Sequence, residues 1–285
     1  MTVDELVRAA ARRLAAAGVA SPEVDAELLL AHALGRSVAE LRRARVLREQ
    51  VGDAPHGRFL DLVVRRADRV PLQHLTGVAP FAGLELHVGP GVFVPRPETE
   101  TLVELALAAL DGADRPTVVD LATGSGAIAL AIATRARDAR VGAVELSPQA
   151  YGYARRNVAD TAPRVDLRLG RAQDAFADWV GEVDVVVSNP PYIPPDAEPV
   201  EVEVREHDPV LALYGGGCDG LALPAEFARR AAELLRPGGV LLMEHADVQG
   251  DALTALLRRE GWVEVSDHED LTGRPRVVRA RRRDA

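Results

Sequence analysis

The apolar positions change rhythm along the chain, and the change divides it. Through residues 2–67 they recur at helical spacing: Leu6, Val7, Ala10, Leu14 and Ala17 share one face before Gly18. Ser21-Pro22-Glu23 reads as an N-cap with proline at the first helical position, followed by Leu28, Leu29 and Leu30 up to Gly35. Ser37 caps a third helix through Leu41, and a fourth over Phe59 to Ala67 carries Leu60, Val63 and Val64 on one side. Nothing in these small helices has catalytic spacing. Phe81 to Val88 then alternates and predicts a strand after a turn, and Gly89-Pro90-Gly91 predicts another turn. Pro95-Arg96-Pro97-Glu98-Thr99-Glu100 leads into a helix from Glu98 to Leu110.

From Pro116 onward, short β-branched runs alternate with helical patterns. Strands are expected at 117–121, 140–146, 165–169, 183–188, 240–244, 262–265 and 276–280, and helices at 127–134, 148–159, 224–235 and 251–260. That alternation predicts a mostly parallel sheet with helices on both faces. The expected organisation is a helical module over 1–75, a hairpin connector over 76–95 and an α/β domain over 96–285. The basic tail Arg279 to Arg283 reads as a solvated end.

Composition narrows the class. With 285 residues, 47% of them hydrophobic, the chain can bury a substantial core. A net charge of -9 argues against coating nucleic acid by bulk electrostatics. Cys218 is the single cysteine, which excludes an internal disulfide, and no metal-ligand cluster is expected. The Ala-rich start is broken by Asp4, Glu5, Arg8, Arg12 and Arg13, unlike a signal peptide or membrane span, so a soluble cytoplasmic protein is expected.

Two stretches carry chemistry. Val183 to Val187 is a buried-strand run that ends in Ser188-Asn189-Pro190-Pro191-Tyr192, with Ile193-Pro194-Pro195 unable to continue a ladder. In an open parallel sheet, ligands bind where strands run out. An asparagine there both accepts and donates hydrogen bonds, so it suits a planar group that does the same: another amide, or a base amino group. Tyr192 can lie on the flat face of that group. A proline-rich turn capped by asparagine is the structural alternative.

The second stretch is Asp120 to Gly126, a glycine-containing turn from strand to helix. About twenty residues on, Glu145 ends the next strand, where nucleotide-binding folds place a carboxylate on ribose hydroxyls. The loop lacks the three-glycine pyrophosphate pattern, so a ribose-bearing ligand without phosphates fits better, S-adenosylmethionine foremost. Asp174, after the third strand, is placed either to meet the adenine or as an exposed loop acid. Arg96, rigid between prolines, is a candidate to reach into a neighbouring site.

Asp120-Leu121-Ala122-Thr123-Gly124-Ser125-Gly126, Glu145 and Asn189-Pro190-Pro191-Tyr192 resemble class I S-adenosylmethionine-dependent methyltransferases that act on an amide or exocyclic amino nitrogen. Pro71-Leu72-Gln73 with Gly77 and Phe81, Pro95 to Glu100, Leu211-Ala212-Leu213-Tyr214 before Gly216-Gly217, and Asp219-Gly220-Leu221 narrow the likeness, as do Glu244 with Gln249 and Asp270 to Arg274. Together they resemble the peptide chain release factor glutamine methyltransferase family (HemK/PrmC) over nearly the whole chain.

The resemblance implies a Rossmann-like sheet of seven strands, the last antiparallel, behind a small N-terminal helical bundle. It implies methylation of the glutamine side-chain amide in the Gly-Gly-Gln loop of class I release factors, with no membrane and no direct nucleic-acid partner. Ala122, Thr123, Gly124, Ser125 and Gly126 then line the donor, Glu145 holds its ribose, Asp174 with Ala175 borders the adenine, and Asn189 touches the donor as well as the substrate. Asn189, Pro190, Pro191 and Tyr192 hold the substrate glutamine. Ala122 departs from the glycine usual there, Glu145 from aspartate, and Ala246 from glycine; the Glu244-His245 segment receives no role. Other readings are methylation of a ribosomal-protein glutamine, an adenine methylase of DNA or RNA, and a non-catalytic binding protein on the same scaffold.

Overall fold

The computed structural model describes residues 1–284. In chain order the helices and strands are α1 (Val3–Ala16), α2 (Pro22–Leu34), α3 (Val38–Val46), α4 (Asp53–Ala67), α5 (Leu72–Thr76), β1 (Val78–Phe81), β2 (Leu84–His87), α6 (Glu100–Ala109), β3 (Thr117–Leu121) and α7 (Ala127–Arg135). They continue as β4 (Arg140–Glu145), α8 (Pro148–Thr161), β5 (Asp166–Leu169), β6 (Val183–Ser188), α9 (Val202–His207), α10 (Ala222–Leu234), β7 (Leu235–Glu244), α11 (Gly250–Arg259), β8 (Val263–Glu269) and β9 (Pro275–Arg281). The chain forms two compact units: Met1–Val78 with Val200–His207, and Ala79–Pro199 with the residues from Asp208 onward.

In the first unit, capping boxes start α1 and α3: the Thr2 and Ser37 hydroxyls accept backbone N–H groups of Glu5 and Glu40, whose carboxylates reach back to the cap N–H. Helix α2 ends on Gly35 in the left-handed conformation. Leu6, Leu14, Leu29, Leu30, Leu41 and Phe59 make the core. Two expectations fall short here. Helix α3 continues past Leu41 to Val46, and α4 begins at Asp53 rather than Phe59. Pro55 sits in the first turn, where its missing N–H has no helical partner to lose.

The second unit holds a seven-stranded sheet in the order β5-β4-β3-β6-β7-β9-β8. Strands β3 to β7 pair in parallel, and β9, the last strand, runs antiparallel to β7 and β8. Alternate residues split between two cores. Val118, Val141, Val185, Val187 and Leu242 pack with α6 and α7, while Val119, Val186, Leu241 and Met243 pack with α10 and α11.

The expected single strand over Phe81 to Val88 is instead split by a hairpin turn, with Phe81 ending β1 and Leu84 beginning β2. Ala82 and Gly83 (φ 48° and 80°) form that turn, as two-residue hairpin loops require. Strand β7 starts earlier than expected, at Leu235. Pro237-Gly238-Gly239 bulges out of it, since Val183 pairs Leu235 and Val185 already pairs Val240. Arg279 and Arg281 of the basic tail lie in β9 and pair with Glu264. Helix α9 was not foreseen: nothing in its pattern is buried. No helix among the described residues is long and apolar enough to cross a membrane.

Candidate active site

Leu121, Val144, Ser188 and Met243 align across β3, β4, β6 and β7. One residue further along come Ala122, Glu145, Asn189 and Glu244, a row across the carboxyl ends of four neighbouring strands. By alternation, Glu145, Asn189 and Glu244 continue the sheet face that packs on α6 and α7. With strands about 4.8 Å apart, Glu145 and Asn189 stand about 10 Å from one another across the sheet. This is the end of a parallel sheet where ligands bind.

Strand β3 ends in a turn pinned from below. Thr123 Oγ1 donates to Asp120 Oδ2 at 2.5 Å, and the Ala129 N–H donates to the same oxygen at 3.2 Å. Burial nonetheless pushes Asp120 up to about 7, against those two hydrogen bonds, and the Glu145 charge adds to the rise. The Asn157 amide donates to Ser125 O at 2.9 Å and clamps the turn from the α8 side. Gly124 (φ 60°) and Gly126 (φ 86°) need the left-handed region, and the place where a Cβ on Gly124 would stand is open space. The Glu145 carboxylate holds the backbone of this turn. Its two oxygens accept the Gly124 N–H at 2.8 Å and the Ser147 N–H at 2.7 Å. Burial raises its pKa while these N–H groups oppose the rise.

Ala122, the departure from glycine, has φ 64°, in the left-handed region that disfavours a Cβ. Relief of about 1–2 kcal/mol of strain outweighs the extra chain entropy of glycine, about 0.5–1 kcal/mol. Ala122→Gly should therefore stabilise the fold by about 0.5–1 kcal/mol and raise Tm by about 2 °C. A lower Tm would mean that the methyl's packing against the sheet core outweighs the strain.

The other chemical stretch is held as firmly. Ser188 Oγ donates to Leu121 O at 2.6 Å, locking β6 to β3 beneath the site. Asn189 Nδ2 donates to Thr99 Oγ1 at 3.3 Å. The Tyr192 and Ile193 N–H groups both donate to Leu213 O, at 3.1 and 2.8 Å. Gln249, 5% exposed, donates through Nε2 to Tyr192 O and to Asp219 O, each at 2.8 Å, and accepts the Ala246 N–H at 3.0 Å. A Cβ on Gly220 would stand 2.1 Å from Tyr192 O, so only glycine fits that close approach. The Tyr192 hydroxyl is kept neutral, first by burial and then by the Glu244 charge.

The remaining candidates lie as follows. The Asp174 side chain is exposed and lies 3.8 Å from Arg171. Ala175 is buried, and its carbonyl accepts Nε and Nη2 of Arg230. The Arg96 guanidinium lies 3.4 Å from the Asp208 carboxylate and 5.5 Å from the Phe93 ring centre, so its charge already has an acid beside it. Three residues acquire parts that sequence reasoning did not assign: Thr99, Glu244 and Gln249. Glu244 had a readable signal, because it ends an apolar strand just as Glu145 does. Among the described residues, no group of three or more His, Cys, Asp or Glu side chains converges as a metal site.

Comparison with known proteins gives the family. Residues 5–77 match the PrmC N-terminal domain and residues 83–204 the Methyltransferase small domain. The release factor glutamine methyltransferase of Streptomyces coelicolor is 51% identical, over 97% of this chain and 96% of that protein. That of Bifidobacterium longum is 43% identical, over 98% and 99%. Among solved structures, the hMettl16 catalytic domain in complex with an RNA hairpin shares the fold. Its TM-score is 0.55 at 16% identity, over 79% of this chain and 82% of that one. The sequence relatives match end to end, through the helical unit and the sheet alike, and the chain belongs to the release factor glutamine methyltransferase family.

Proposed function

We propose that this chain methylates the side-chain amide nitrogen of the glutamine in the Gly-Gly-Gln loop of class I release factors, with S-adenosylmethionine as donor, in the cytoplasm. The observation that carries the reading is the orientation of Asn189. Its amide nitrogen is engaged by Thr99, which leaves the carbonyl oxygen as the acceptor for an incoming amide N–H. The residues of the row fit the donor. The open space beside Gly124 and the buried Glu145 carboxylate, already oriented by two backbone N–H groups, suit a ribose and its hydroxyls. When bound, S-adenosylmethionine supplies a methyl group activated by its sulfonium.

An amide nitrogen is a poor nucleophile because its lone pair is delocalised into the carbonyl. The chain's part is to aim that nitrogen and localise the pair. Asn189 Oδ1 and the Pro190 carbonyl accept the two amide hydrogens, drawing charge onto nitrogen and stabilising the positive charge that grows there as the N–C bond forms and the S–C bond breaks. The donor leaves as a neutral thioether, and the surplus proton leaves nitrogen after transfer. Tyr192, its backbone clamped by Gln249, packs on the amide plane. Holding the reactants in line contributes up to about 7–11 kcal/mol in favourable cases. Arg96 and the Asp174-Ala175 turn border the substrate and the adenine respectively. The helical unit over the first 75 residues docks the substrate protein.

The test is transfer of labelled methyl to purified release factor, wild type against a version whose loop glutamine is changed. Label on the wild type alone is expected. Label on neither, with donor binding intact, would move the substrate to a ribosomal protein or a nucleic acid.

A further inference from the structure

Glu244 is 3% exposed at the end of β7, beside Asn189 in the row, and nothing in the reaction as derived above uses it. Its Oε2 is buried with no hydrogen-bond partner among the described residues. Such an atom destabilises a fold unless something compensates for it. Thr99, 4% exposed, lies in the turn before α6 and touches both Asn189 and Glu244. The Thr99 hydroxyl accepts from Asn189 Nδ2 at 3.3 Å. A hydroxyl has one hydrogen of its own to give, and the acceptor next to it is the Glu244 carboxylate.

We propose that Thr99 and Glu244 form a relay that fixes which end of the Asn189 amide faces the substrate. With Glu244 ionised, Thr99 donates to the carboxylate and must accept from Asn189. The Asn189 nitrogen is thereby turned inward and its oxygen outward. With Glu244 protonated, the carboxyl has a hydrogen to donate to Thr99. Thr99 is then free to donate to Asn189 Oδ1, and the amide can flip. A flipped Asn189 presents N–H to the N–H of the substrate amide, which it repels. Thr99 and Glu244 are positioning residues: they act on the reacting nitrogen only through Asn189. The inference rests on Asn189 receiving the substrate amide, as proposed above.

The charges around the relay set where it switches. Burial raises the Glu244 pKa to about 7. The hydrogen bonds of Thr99 and Asn189 and the Arg276 charge pull against the rise, and Glu98 adds to it. Tyr192 faces the same carboxyl and stays neutral. Arg276 reaches in from β9 with its guanidinium also on Asp270, at 3.2 Å. Turnover should therefore rise as pH climbs through about 7, when the carboxylate forms.

The experiment compares wild type, Glu244→Gln, Thr99→Val and Thr99→Ser by pH–rate profile at saturating donor. Glu244→Gln and Thr99→Val should each lose about tenfold or more in kcat, the worth of a hydrogen bond to a charged group, with the KM for donor unchanged. Both should lose the rise near pH 7. Thr99→Ser, which keeps the hydroxyl, should restore the rate and the profile. Folding is checked in the same samples. Since the folded pKa lies above the ordinary carboxylate value, ionisation weakens the wild-type fold as pH rises, so Glu244→Gln should unfold no earlier at pH 8.

Variants with wild-type rates and profiles overturn the relay. So does a loss confined to Glu244→Gln, which would make Glu244 act directly rather than through Thr99. An independent reading does not need turnover. The Asn189 side-chain NH2 signals, identified by their absence in Asn189→Ala, should shift with pH around 7 in wild type and stay constant in Glu244→Gln. Signals that ignore pH in wild type overturn the relay even if the substrate proves to be another molecule, whereas failure to label release factor with titrating signals overturns only the proposed function.

Discussion

Replacing Asn189 by alanine should lower kcat for methyl transfer by about 10²–10³-fold while leaving the affinity for S-adenosylmethionine within a factor of about two. The size follows from what the side chain does. In the mechanism proposed above the barrier lies in recruiting a lone pair that the amide carbonyl holds, and Asn189 Oδ1 would supply one of the two acceptors that localise it on nitrogen. The other, the Pro190 carbonyl, stays in place because it is backbone and because the Tyr192 carbonyl beyond it is clamped by Gln249. Donor affinity is expected to stay because Glu145, the residue proposed to hold the ribose, is oriented by Gly124 and Ser147, two strands away across the sheet. Asn189→Asp separates the parts of the role. It keeps an acceptor facing the substrate but sets a carboxylate against Thr99 and Glu244, so it should recover little of the rate. Single-turnover transfer and donor titration measure the two quantities apart. An Asn189→Ala enzyme that turns over normally at saturating donor would remove the amide-holding mechanism.

Much of this candidate site is legible in the sequence because its residues sit where strands end. β3, β4 and β6 are β-branched runs with clear stops, so Ala122, Glu145 and Asn189 could be placed at their carboxyl ends from pattern alone. Glu244 was visible by the same rule, yet it had no recognisable partner in sequence. Its neighbour Thr99 lies 145 positions upstream in a proline-bound turn, and only the packing of α6 on β7 brings them together. Gln249 was hidden for a similar reason, since its partners are backbone carbonyls that carry no side-chain signature. A hairpin connector was legible over 76–95, but the place of its turn was not, because the apolar pattern runs on through Ala82-Gly83 and only the positive φ values reveal the reversal. Helix α9 escaped altogether. It is six residues long and has no buried side chain, so neither length nor periodicity marked it.

What places α9 is charge, and this yields the largest expected effect on stability. Within the helical unit, Arg66 on α4 is 7% exposed and joins two acids from distant parts of the chain. Its Nε donates to Asp25 at 2.7 Å and its Nη1 to Glu203 of α9 at 2.8 Å. Arg69 grips the same Glu203 with two further hydrogen bonds, of 2.9 and 2.5 Å. Arg66→Met should destabilise the protein by about 3–5 kcal/mol, because it strands the buried Asp25 carboxylate and half-frees Glu203. Arg69→Met should be milder, since Arg69 is more exposed and Arg66 still holds Glu203. The pH dependence has a definite sign. Burial pushes the Glu203 pKa up, but the hydrogen bonds from Arg69 and Arg66 outweigh it and hold the carboxyl at about 2. Its contribution is therefore complete above the ordinary carboxylate range and disappears as pH falls toward 2, and Glu203→Gln should flatten that acid limb. Urea unfolding followed by circular dichroism measures the loss, and limited proteolysis should cut between residues 196 and 208 faster in both variants. The decisive comparison is the triple variant Asp25→Asn, Arg66→Met, Glu203→Gln. A stranded charge is what makes breaking a buried pair so destabilising, so removing all three charges should recover part of the stability that Arg66→Met alone loses. If Arg66→Met unfolds within about 1 kcal/mol of wild type, the pairs are surface-like in strength and α9 is held by something other than charge.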